Sequence, residues 1–263
     1  TSIGGKPRNR IAALGASTGA ATGWNPNADS DVNALAMSGS TIYAGGYFQS
    51  IGGQPRTYIA ALAATTGKAT TWNPSANGSV DTLAVSGSVV YAGGNFGIIG
   101  LQPRQYVAAL DTSNGLAKLW NPNPDQPVDS IVPAGSLVYV GGRFSTIGTK
   151  TRHQIAALDS TTGLANGWDP NSDGFIREPG IGGLGLMGST IYAGGAFGNI
   201  GGKPRLAVAG IDTTTGKATG WDPDVGGYVY TVLTSPSDGK VYVGGGFGTT
   251  ERAAQQNFAV FSP

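Results

Sequence analysis

Two groups of polar side chains between residues 150 and 178 have the types and spacing that binding chemistry requires. The first group is Lys150, Arg152, His153, Arg177 and Glu178. Guanidinium and ammonium groups hold anionic ligands through charge-assisted hydrogen bonds. The second group, Asp169, Asn171 and Asp173, puts oxygen-bearing side chains at alternate positions before a glycine, an arrangement that suits a hard cation such as Ca²⁺. We predict a ligand site from the first group and a calcium site from the second.

The calcium prediction has an alternative that the sequence leaves open. An EF-hand type of loop starting at Asp169 would need an acidic residue at Gly180, and Glu178 lies two residues before that position. Asp and Asn side chains in such loops also hydrogen-bond their own backbone and form Asx turns. Calcium binding and a set of Asx turns therefore both remain possible interpretations.

One carboxylate pair has the character that glycoside hydrolysis requires. Asp81 and Asp129 occupy the same position of two consecutive repeats, on the strand that we expect to be innermost. Both residues lie in the most regular part of the chain, and the single histidine, His153, lies in a loop. We predict no catalytic residue set and no enzyme activity, with a glycan-active hydrolase or lyase as the alternative.

Tryptophan marks an internal repeat that covers the whole chain. It occurs at positions 24, 72, 120, 168 and 221, so the step is 48 residues three times and 53 once. Each tryptophan precedes Asn-Pro or Asp-Pro, and a second recurring motif ends in Gly-Gly-x-Phe. A third motif ends in arginine, at positions 8, 56, 104, 152 and 205. The residue before this arginine is proline except at 152, where it is threonine. A fixed period of this length is typical of repeat architectures such as propellers.

Each repeat predicts four short strands, which we label a to d. In the second repeat these are Val80–Val85, Val89–Gly94, Tyr106–Leu110 and Leu116–Trp120, separated by glycine-containing turns and one longer loop. Four strands in about 48 residues indicate a propeller blade. We therefore predict an all-β fold, a five-bladed β-propeller with four-stranded antiparallel blades, as a single domain over residues 1–263.

The strand count predicts how such a ring would close. Strands a, b and d occur five times, but the c pattern occurs six times, because Ile11–Leu14 and Phe258–Phe261 both have it. Pairing of N- and C-terminal strands would close the ring and remove exposed sheet edges. The spare c strand would then pack outside, belong to a longer repeat array, or insert into a neighbour. We expect a monomer, with a strand-swapped oligomer as the alternative.

The repeat phrases carry a resemblance to known propeller repeats. The order of a strand ending in Gly-Gly, a loop with arginine, and a strand ending in tryptophan resembles kelch repeats, and Ala60–Trp72 resembles the quinoprotein repeat. The pattern is most similar to the Gly-Gly-x-Phe propeller repeats of secreted bacterial proteins. This resemblance implies a propeller fold and assigns no activity.

Residues that recur identically in every repeat favour a structural role. The tryptophans could stack on sugars, but their regular placement favours packing between blades. The arginines could hold an anion, or could bond loop carbonyls or an Asp such as Asp111 or Asp159. A departure from the repeat is a stronger indication of a binding site than a recurring residue. The distance from the tryptophan to the start of strand a is 13 residues for Trp168 to Ile181, and 8 residues in the other repeats. We expect the b–c and d–a loops on one face, with this site, and the a–b and c–d turns on the opposite face.

Composition limits the classes of partner. Charged residues make up 12% of the chain and the formal net charge is +1, so we expect no nucleic-acid binding. No apolar run approaches membrane-spanning length, so we expect no membrane insertion. The absence of cysteine fits either compartment, but the many Thr, Ser, Asn and Gly residues and the low charge predict a secreted or cell-surface protein. We predict a binding or scaffold module, such as a multivalent carbohydrate- or surface-binding protein, whose partner is a glycan or a cell-surface or extracellular-matrix component. The alternative is a structural, adhesive unit of a larger extracellular protein.

Overall fold

The computed structural model describes residues 2–174, 180–250 and 253–263, and these contain β-strands and no helix. Two of the predicted ligand residues, Arg177 and Glu178, lie outside the described residues. In the described part of the chain, no helix is long and apolar enough to span a membrane. The chain divides into two compact units, Thr1–Asn121 (unit 1) and Pro122–Pro263 (unit 2).

Unit 1 contains twelve strands: β1 (Ser2–Ile3), β2 (Lys6–Pro7), β3 (Val32–Ser38), β4 (Thr41–Gly46), β5 (Ser50–Ile51), β6 (Gln54–Pro55), β7 (Ile59–Ala63), β8 (Val80–Ser86), β9 (Val89–Gly94), β10 (Ile98–Ile99), β11 (Gln102–Pro103) and β12 (Val107–Asp111). Two three-stranded antiparallel sheets, β3-β4-β7 and β8-β9-β12, form its framework. Their strands are rich in Val, Ile, Leu and Tyr, and glycines with positive φ make the a–b turns, as at Gly39 and Gly87.

Unit 2 contains the remaining described strands: β13 (Val128–Ala134), β14 (Leu137–Gly142), β15 (Thr146–Ile147), β16 (Lys150–Thr151), β17 (Ile155–Asp159), β18 (Gly183–Met187), β19 (Thr190–Gly194), β20 (Asn199–Ile200), β21 (Lys203–Pro204), β22 (Val208–Asp212), β23 (Gly226–Ser235), β24 (Lys240–Thr250), β25 (Ala253–Ala254) and β26 (Phe258–Phe261). They form the sheets β13-β14-β17, β18-β19-β22 and β23-β24-β26, with β25 also paired to β24. The five predicted a strands, the five b strands and five of the six c strands are therefore confirmed, the exception being Ile11–Leu14.

The prediction of four-stranded sheets was wrong, because strand d is reduced to a single bridge. In the first full repeat that bridge joins Leu62 to Ala69, and the same bridge recurs between Leu110 and Ala117. The chain leaves the sheet directly afterwards because Trp72 docks into the following sheet, where its indole N–H donates to the carbonyl oxygen of Asp111 at 2.9 Å. Pro74 then follows and has no N–H to continue a ladder.

The longer b–c loops contain regular structure that the sequence did not predict. Each loop folds into a hairpin with two-residue strands, such as β5 with β6 and β20 with β21. Two glycines with positive φ make the tip in β5–β6, Gly52 (φ 64°) and Gly53 (φ 76°). The b–c connection is therefore a β-hairpin with a defined tip rather than an irregular loop.

The two candidate terminal c strands behave differently. The C-terminal β26 pairs with β24 in the last sheet, with Phe261 opposite Val241. Ile11–Leu14 is not a strand, and Leu14 makes only an isolated bridge to Ala21. Of the described strands, β1 and β2 come before this segment, and they pair with each other rather than with it. The C-terminal segment therefore fills the c position of the last sheet.

The tryptophans and the Gly-Gly-x-Phe phenylalanines belong to the core. Trp24, Trp72, Trp120 and Trp168 are at most 7% exposed, and Phe48, Phe96 and Phe144 are fully buried. Within unit 1, Trp72 lies between the two sheets and meets Tyr43 edge-to-face at a centroid distance of 5.0 Å. Their packing role is confirmed, because a buried ring offers no face to a sugar.

The glycine pairs are required by close backbone approach. A Cβ atom added to Gly46 would lie 2.1 Å from the carbonyl oxygen of Asp31, and one on Gly142 would lie 2.3 Å from that of Pro127. Any side chain there would push strand b away from the segment that enters strand a. The pair therefore keeps each d–a loop seated against its sheet.

Candidate functional site

A cavity of about 840 Å³ in unit 2 brings together three segments of two consecutive repeats. Its walls are the d–a loop 169–173, the b–c hairpin 199–203 and the c–d turn 215–218. All three residues of the predicted calcium site, Asp169, Asn171 and Asp173, line this cavity. We refer to it below as the loop cavity.

Main-chain hydrogen bonds fix the three walls to one another. The amide of Gly201 donates to the carbonyl oxygen of Pro170 at 2.7 Å, which joins the hairpin tip to the loop. The amide of Ala218 donates to the carbonyl oxygen of Gly201 at 2.9 Å, which joins the turn to the hairpin. Gly216 has φ 72°, and a Cβ there would lie 3.3 Å from the amide nitrogen of Asp169. The cavity is thus built on rigid backbone rather than on free loops.

This arrangement corrects the prediction that c–d turns lie on the face opposite to the b–c and d–a loops. Thr215, Gly216 and Lys217 belong to a c–d turn, yet they line the same cavity as the other two segments. The reason is that the b–c hairpin folds back along its sheet until its tip pairs with the start of strand d. The sequence analysis treated that hairpin as an irregular loop and did not predict that its tip contacts the start of strand d.

Asp173 holds the hairpin in place with its carboxylate. Its Oδ1 accepts hydrogen bonds from the amides of Gly198 (3.0 Å) and Asn199 (2.7 Å), and its Oδ2 accepts one from Asn199 Nδ2 at 2.6 Å. Partial burial raises the pKa of Asp173, but these hydrogen bonds outweigh it and leave the pKa below its ordinary value. The charge of this carboxylate is therefore already satisfied by protein donors.

Asn171 has a backbone role that recurs in every repeat. Its φ is 50°, and the equivalent residues Asn27, Ser75, Asn123 and Asp224 also lie in the left-handed region. Asn and Asp adopt that conformation more readily than other non-glycine residues. Among the described residues no group of three or more His, Cys, Asp or Glu side chains is placed to hold a metal. Asp173 bonds the hairpin and Asp169 bonds Arg152 rather than the backbone of their own loop. Calcium binding and Asx turns both stay predictions.

Asp169 forms an ion pair with the buried Arg152, which connects the d–a loop to the preceding b–c hairpin. Arg152 Nη1 lies 3.2 Å from Asp169 Oδ2, Nη1 also donates to the carbonyl oxygen of Thr151 at 2.7 Å, and Nη2 donates to that of Asn166 at 2.6 Å. The residue is only 7% exposed. Most of its hydrogen-bonding capacity therefore goes to holding strand d, and its role as a ligand residue is untested.

The same arginine clamp occurs in every repeat. In each, the guanidinium group donates to the carbonyl of the preceding residue and to a carbonyl of strand d; these arginines are Arg8, Arg56, Arg104, Arg152 and Arg205. Arg205 resembles Arg152 in having a carboxylate partner, Asp222, at 3.0 Å. The predicted bonding to loop carbonyls is confirmed, although the acidic partner is Asp169 or Asp222 rather than Asp111 or Asp159.

Lys150 and His153 lie away from the walls of the loop cavity. Both are exposed, and Lys150 Nζ donates to the carbonyl oxygen of Asn166 at 3.2 Å. His153 stands between two buried neighbours, Arg152 and Gln154. The structure thus separates these two predicted ligand residues from the three predicted metal ligands.

Two cationic wall residues of the cavity were not predicted, Lys203 on the hairpin and Lys217 in the turn. Lys203 occupies the position of Lys150 in the next repeat, so comparing b–c loops could have found it. Lys217 could not be found in this way, because the turn had been assigned to the other face.

The two carboxylates considered for catalysis lie in separate units and are each engaged locally. Asp81 accepts hydrogen bonds from Asn33 (2.9 Å), Ser79 (3.0 Å) and Asn95 (3.0 Å). Asp129 receives two bonds of 3.2 Å from Arg143, through Nε and Nη2. Both aspartates stand where the a–b ladder shifts register, a β-bulge that turns one side chain out of the alternation. This environment accounts for both side chains structurally.

Comparison with known proteins gives a fold but no family. No family model matches the chain, and no curated protein matches it. Among solved structures, the WD40 domain of Neurospora crassa Pan2 is similar with a TM-score of 0.54 and 15% identity, over 87% of this chain and 64% of that one. The chain therefore spans less than two thirds of that structure.

A second similar structure is the computationally designed Ika8 protein, with a TM-score of 0.53 and 15% identity, over 86% of this chain and 72% of that one. WD40 domains are β-propellers. At this level of identity the likeness concerns architecture alone. The chain is an all-β protein with a propeller-like fold.

Proposed function

We propose that this protein is a secreted, non-catalytic binding module that holds a carbohydrate in the loop cavity of unit 2. The observation that carries the proposal is the cavity itself, whose three walls are fixed by main-chain hydrogen bonds while their polar side chains stay exposed. Sites of this kind, with hydrogen-bonding groups on a rigid scaffold, suit polyhydroxylated ligands. The low charge and the many Thr, Ser, Asn and Gly residues support an extracellular location.

The repeat offers more than one such place, which supports multivalent binding. In unit 1 the equivalent segments are 25–29, 50–54 and 66–69, and the amide of Gly52 donates to the carbonyl oxygen of Pro26 at 2.7 Å, as Gly201 does to Pro170. Several weak sites on one scaffold raise the overall affinity for a polymeric glycan without any new contact. The proposed partner is therefore a surface or matrix polysaccharide rather than a single small sugar.

A glycan array followed by calorimetric titration tests the proposal. We expect binding of a subset of oligosaccharides that is weakened by Asn199→Trp, because the new ring would fill the unit 2 cavity from its wall while the equivalent places in unit 1 stay open. Ile98 is the equivalent exposed residue in unit 1, and Ile98→Trp serves as the matched control that leaves the unit 2 site open.

Other outcomes would support different functions. A silent array would favour the structural, adhesive role instead. Release of products from polysaccharides, lost in Asp129→Asn, would favour a glycan-active enzyme. Calorimetry with Ca²⁺ that gives neither heat nor a shift in melting temperature would end the calcium prediction.

We also propose that the repeats, of the secreted Gly-Gly-x-Phe and kelch-like type, form one closed five-bladed propeller in a single domain. The b-strand tyrosines 43, 91, 139 and 192 each meet a tryptophan edge-to-face at 5.0 to 5.3 Å. The equivalent Tyr242 meets Phe258 instead, at 6.4 Å and tilted. By the repeat pattern its missing partner is Trp24, which belongs to the N-terminal strand that would close the ring.

A double-mutant cycle tests this closure. Replacing Tyr242 and Trp24 by alanine, singly and together, should give a coupling free energy of about 1 kcal/mol, similar to that of the control pair Tyr43 and Trp72. Additive effects would contradict ring closure. Light scattering on the same samples separates a closed monomer from a strand-swapped oligomer, in which the coupling would come from a neighbouring chain.

A further inference from the structure

The loop cavity is lined by two aspartates and two lysines, and only the aspartates are engaged by the framework of the protein. We propose that the cavity selects an anionic saccharide, one that carries carboxylate or sulfate groups, through Lys203 and Lys217. The proposal rests on the carbohydrate-binding function proposed above and specifies the class of its ligand.

The carboxylates of both cavity aspartates already have hydrogen-bond donors from the protein. Asp173 accepts two main-chain N–H bonds and one from Asn199, and Asp169 is paired with the buried Arg152. Neither carboxylate depends on the lysines for a partner. The negative charge of the cavity is therefore held by the framework.

The two lysines, in contrast, have spare capacity. Lys203 Nζ makes one long contact of 3.4 Å to the carbonyl oxygen of Thr219, and Lys217 Nζ has no hydrogen bond or ion pair to any residue that the structure describes. Both side chains are exposed at the cavity wall. Each ammonium group carries three donors, so most of these donors point to solvent or to a ligand.

The other repeats show that the fold does not require these lysines. The residue equivalent to Lys203 is glutamine at positions 54 and 102, and the residue equivalent to Lys217 is leucine at positions 116 and 164. Leu116 and Leu164 are 46% and 50% exposed, so this position tolerates an apolar side chain in water. Only in the fourth repeat do both positions carry lysine.

Among the described residues, no aromatic side chain lines the cavity. The described walls therefore offer a pyranose polar groups rather than a ring on which to stack. Recognition therefore depends on hydrogen bonds and charge, and a charged saccharide gains most from them.

Calorimetric titration of the full chain with three probes tests the inference: an oligosaccharide of uronic acids, a sulfated oligosaccharide and a neutral oligosaccharide of the same length. We expect the acidic probes to bind and to weaken with rising salt, as exposed charge pairs do. Lys203→Gln with Lys217→Leu, both residues native to sister repeats, should weaken acidic binding about tenfold or more. Lys68→Leu in unit 1 is the matched control and should have a smaller effect.

The outcomes separate the inference from the function on which it rests. If a neutral probe binds, is weakened by Asn199→Trp and is indifferent to both lysine substitutions, carbohydrate binding stands and the anionic inference is wrong. If no probe binds wild-type protein, both are wrong. The relative strength of the uronate and sulfate probes identifies which anion the site prefers. An unchanged melting temperature for the lysine variants verifies that the effect is on binding.

Discussion

The loop cavity of unit 2 and its equivalent in unit 1 share a framework but differ in charge. In both, an aspartate caps the hairpin: Asp173 accepts three hydrogen bonds, and Asp29 accepts main-chain bonds from Gln49 and Ser50 at 2.9 and 3.1 Å. The walls differ at two exposed positions, where unit 1 has Asn25 and Gln54 and unit 2 has Asp169 and Lys203. A third exposed position is lysine in both units, at Lys68 and Lys217.

This difference shows which positions belong to the fold. Positions whose hydrogen bonds join the walls keep their residue types or their backbone conformation in both units. Of the three exposed wall positions, two change in charge and one keeps its lysine. The comparison therefore separates a conserved geometry from a variable ligand surface within one chain, and the following substitutions test that separation.

The largest effect should come from the arginine clamp. Arg205 follows the unit 2 hairpin, is 9% exposed and pairs with Asp222, whereas the equivalent Arg56 is half-buried and donates only to carbonyls, of Pro55 and Thr70. We expect Arg205→Ala to lower the free energy of unfolding by about 2–3 kcal/mol and Arg56→Ala by about 2 kcal/mol. Urea denaturation measures both, and an equal loss would show that the carboxylate adds nothing.

A smaller effect should follow from removing the hairpin caps. Asp173→Ala should cost about 1–2 kcal/mol and Asp29→Ala about 1 kcal/mol, because Asp173 accepts one more bond. The folded-state pKa of both lies below the ordinary value, since their hydrogen bonds outweigh the opposing effect of burial. The ionised caps therefore stabilise above the unfolded pKa of about 3.9, and this stability is lost as the pH falls through the folded pKa.

The pH dependence provides the check on that prediction. The stability difference between wild type and Asp173→Ala should be constant near neutral pH and shrink in acid. A difference that grows on acidification would contradict the cap assignment. Asp173→Asn is the control, since it retains the acceptor oxygen without the charge.

Substitutions at the tip of the b–c hairpin should change the free energy of unfolding by about 1 kcal/mol. Gly202 has φ 75°, and Leu101 adopts φ 63° at the equivalent position with its side chain 74% exposed. Gly202→Leu should destabilise by about 1 kcal/mol, and Leu101→Gly should stabilise by about half of that, because the unfolded glycine has more freedom to lose. Thermal unfolding of the two variants gives both signs, and a destabilised Leu101→Gly would contradict the strain argument.

The smallest effect should come from exchanging the cavity charge itself. Asp169→Asn introduces the residue of unit 1 and removes the ion pair with Arg152. The Asp169 side chain is 39% exposed, so the expected loss is about 0.5 kcal/mol. Asp222→Asn, which removes the equivalent pair of Arg205, should behave alike. A loss of several kcal/mol in either would place the carboxylate among the framework residues.

Much of the fold was predictable because the recurring sequence motifs mark positions where every repeat has the same backbone conformation and contacts. The Gly-Gly pairs, the tryptophans and the arginines recur since each repeat makes the same close approach, the same inter-sheet contact and the same clamp. The single-bridge strand d was not predictable, since Leu116–Trp120 has an ordinary strand pattern and only the docking of its tryptophan removes it from the sheet.

The candidate site was predictable only in part. Asp169, Asn171 and Asp173 do lie at a cavity, but the alternation that suggested metal ligands arises from capping and left-handed backbone. Lys217 was missed because its place at the cavity depends on how far the b–c hairpin folds back, a tertiary property that a two-residue strand pattern does not encode. Arg177 and Glu178 lie outside the described residues and stay predictions.

The docking of each tryptophan into the following repeat has a consequence for how such a chain can grow. The indole N–H of Trp24 donates to Ala63 at 3.1 Å, and that of Trp168 donates to Asp212 at 2.9 Å, each one repeat further along. The unit of packing is therefore offset from the unit of sequence. A duplicated stretch of about 48 residues contains both a tryptophan that packs into the next repeat and the binding position for the tryptophan of the preceding repeat. Repeats can therefore be added within an array without changing the contacts between neighbours.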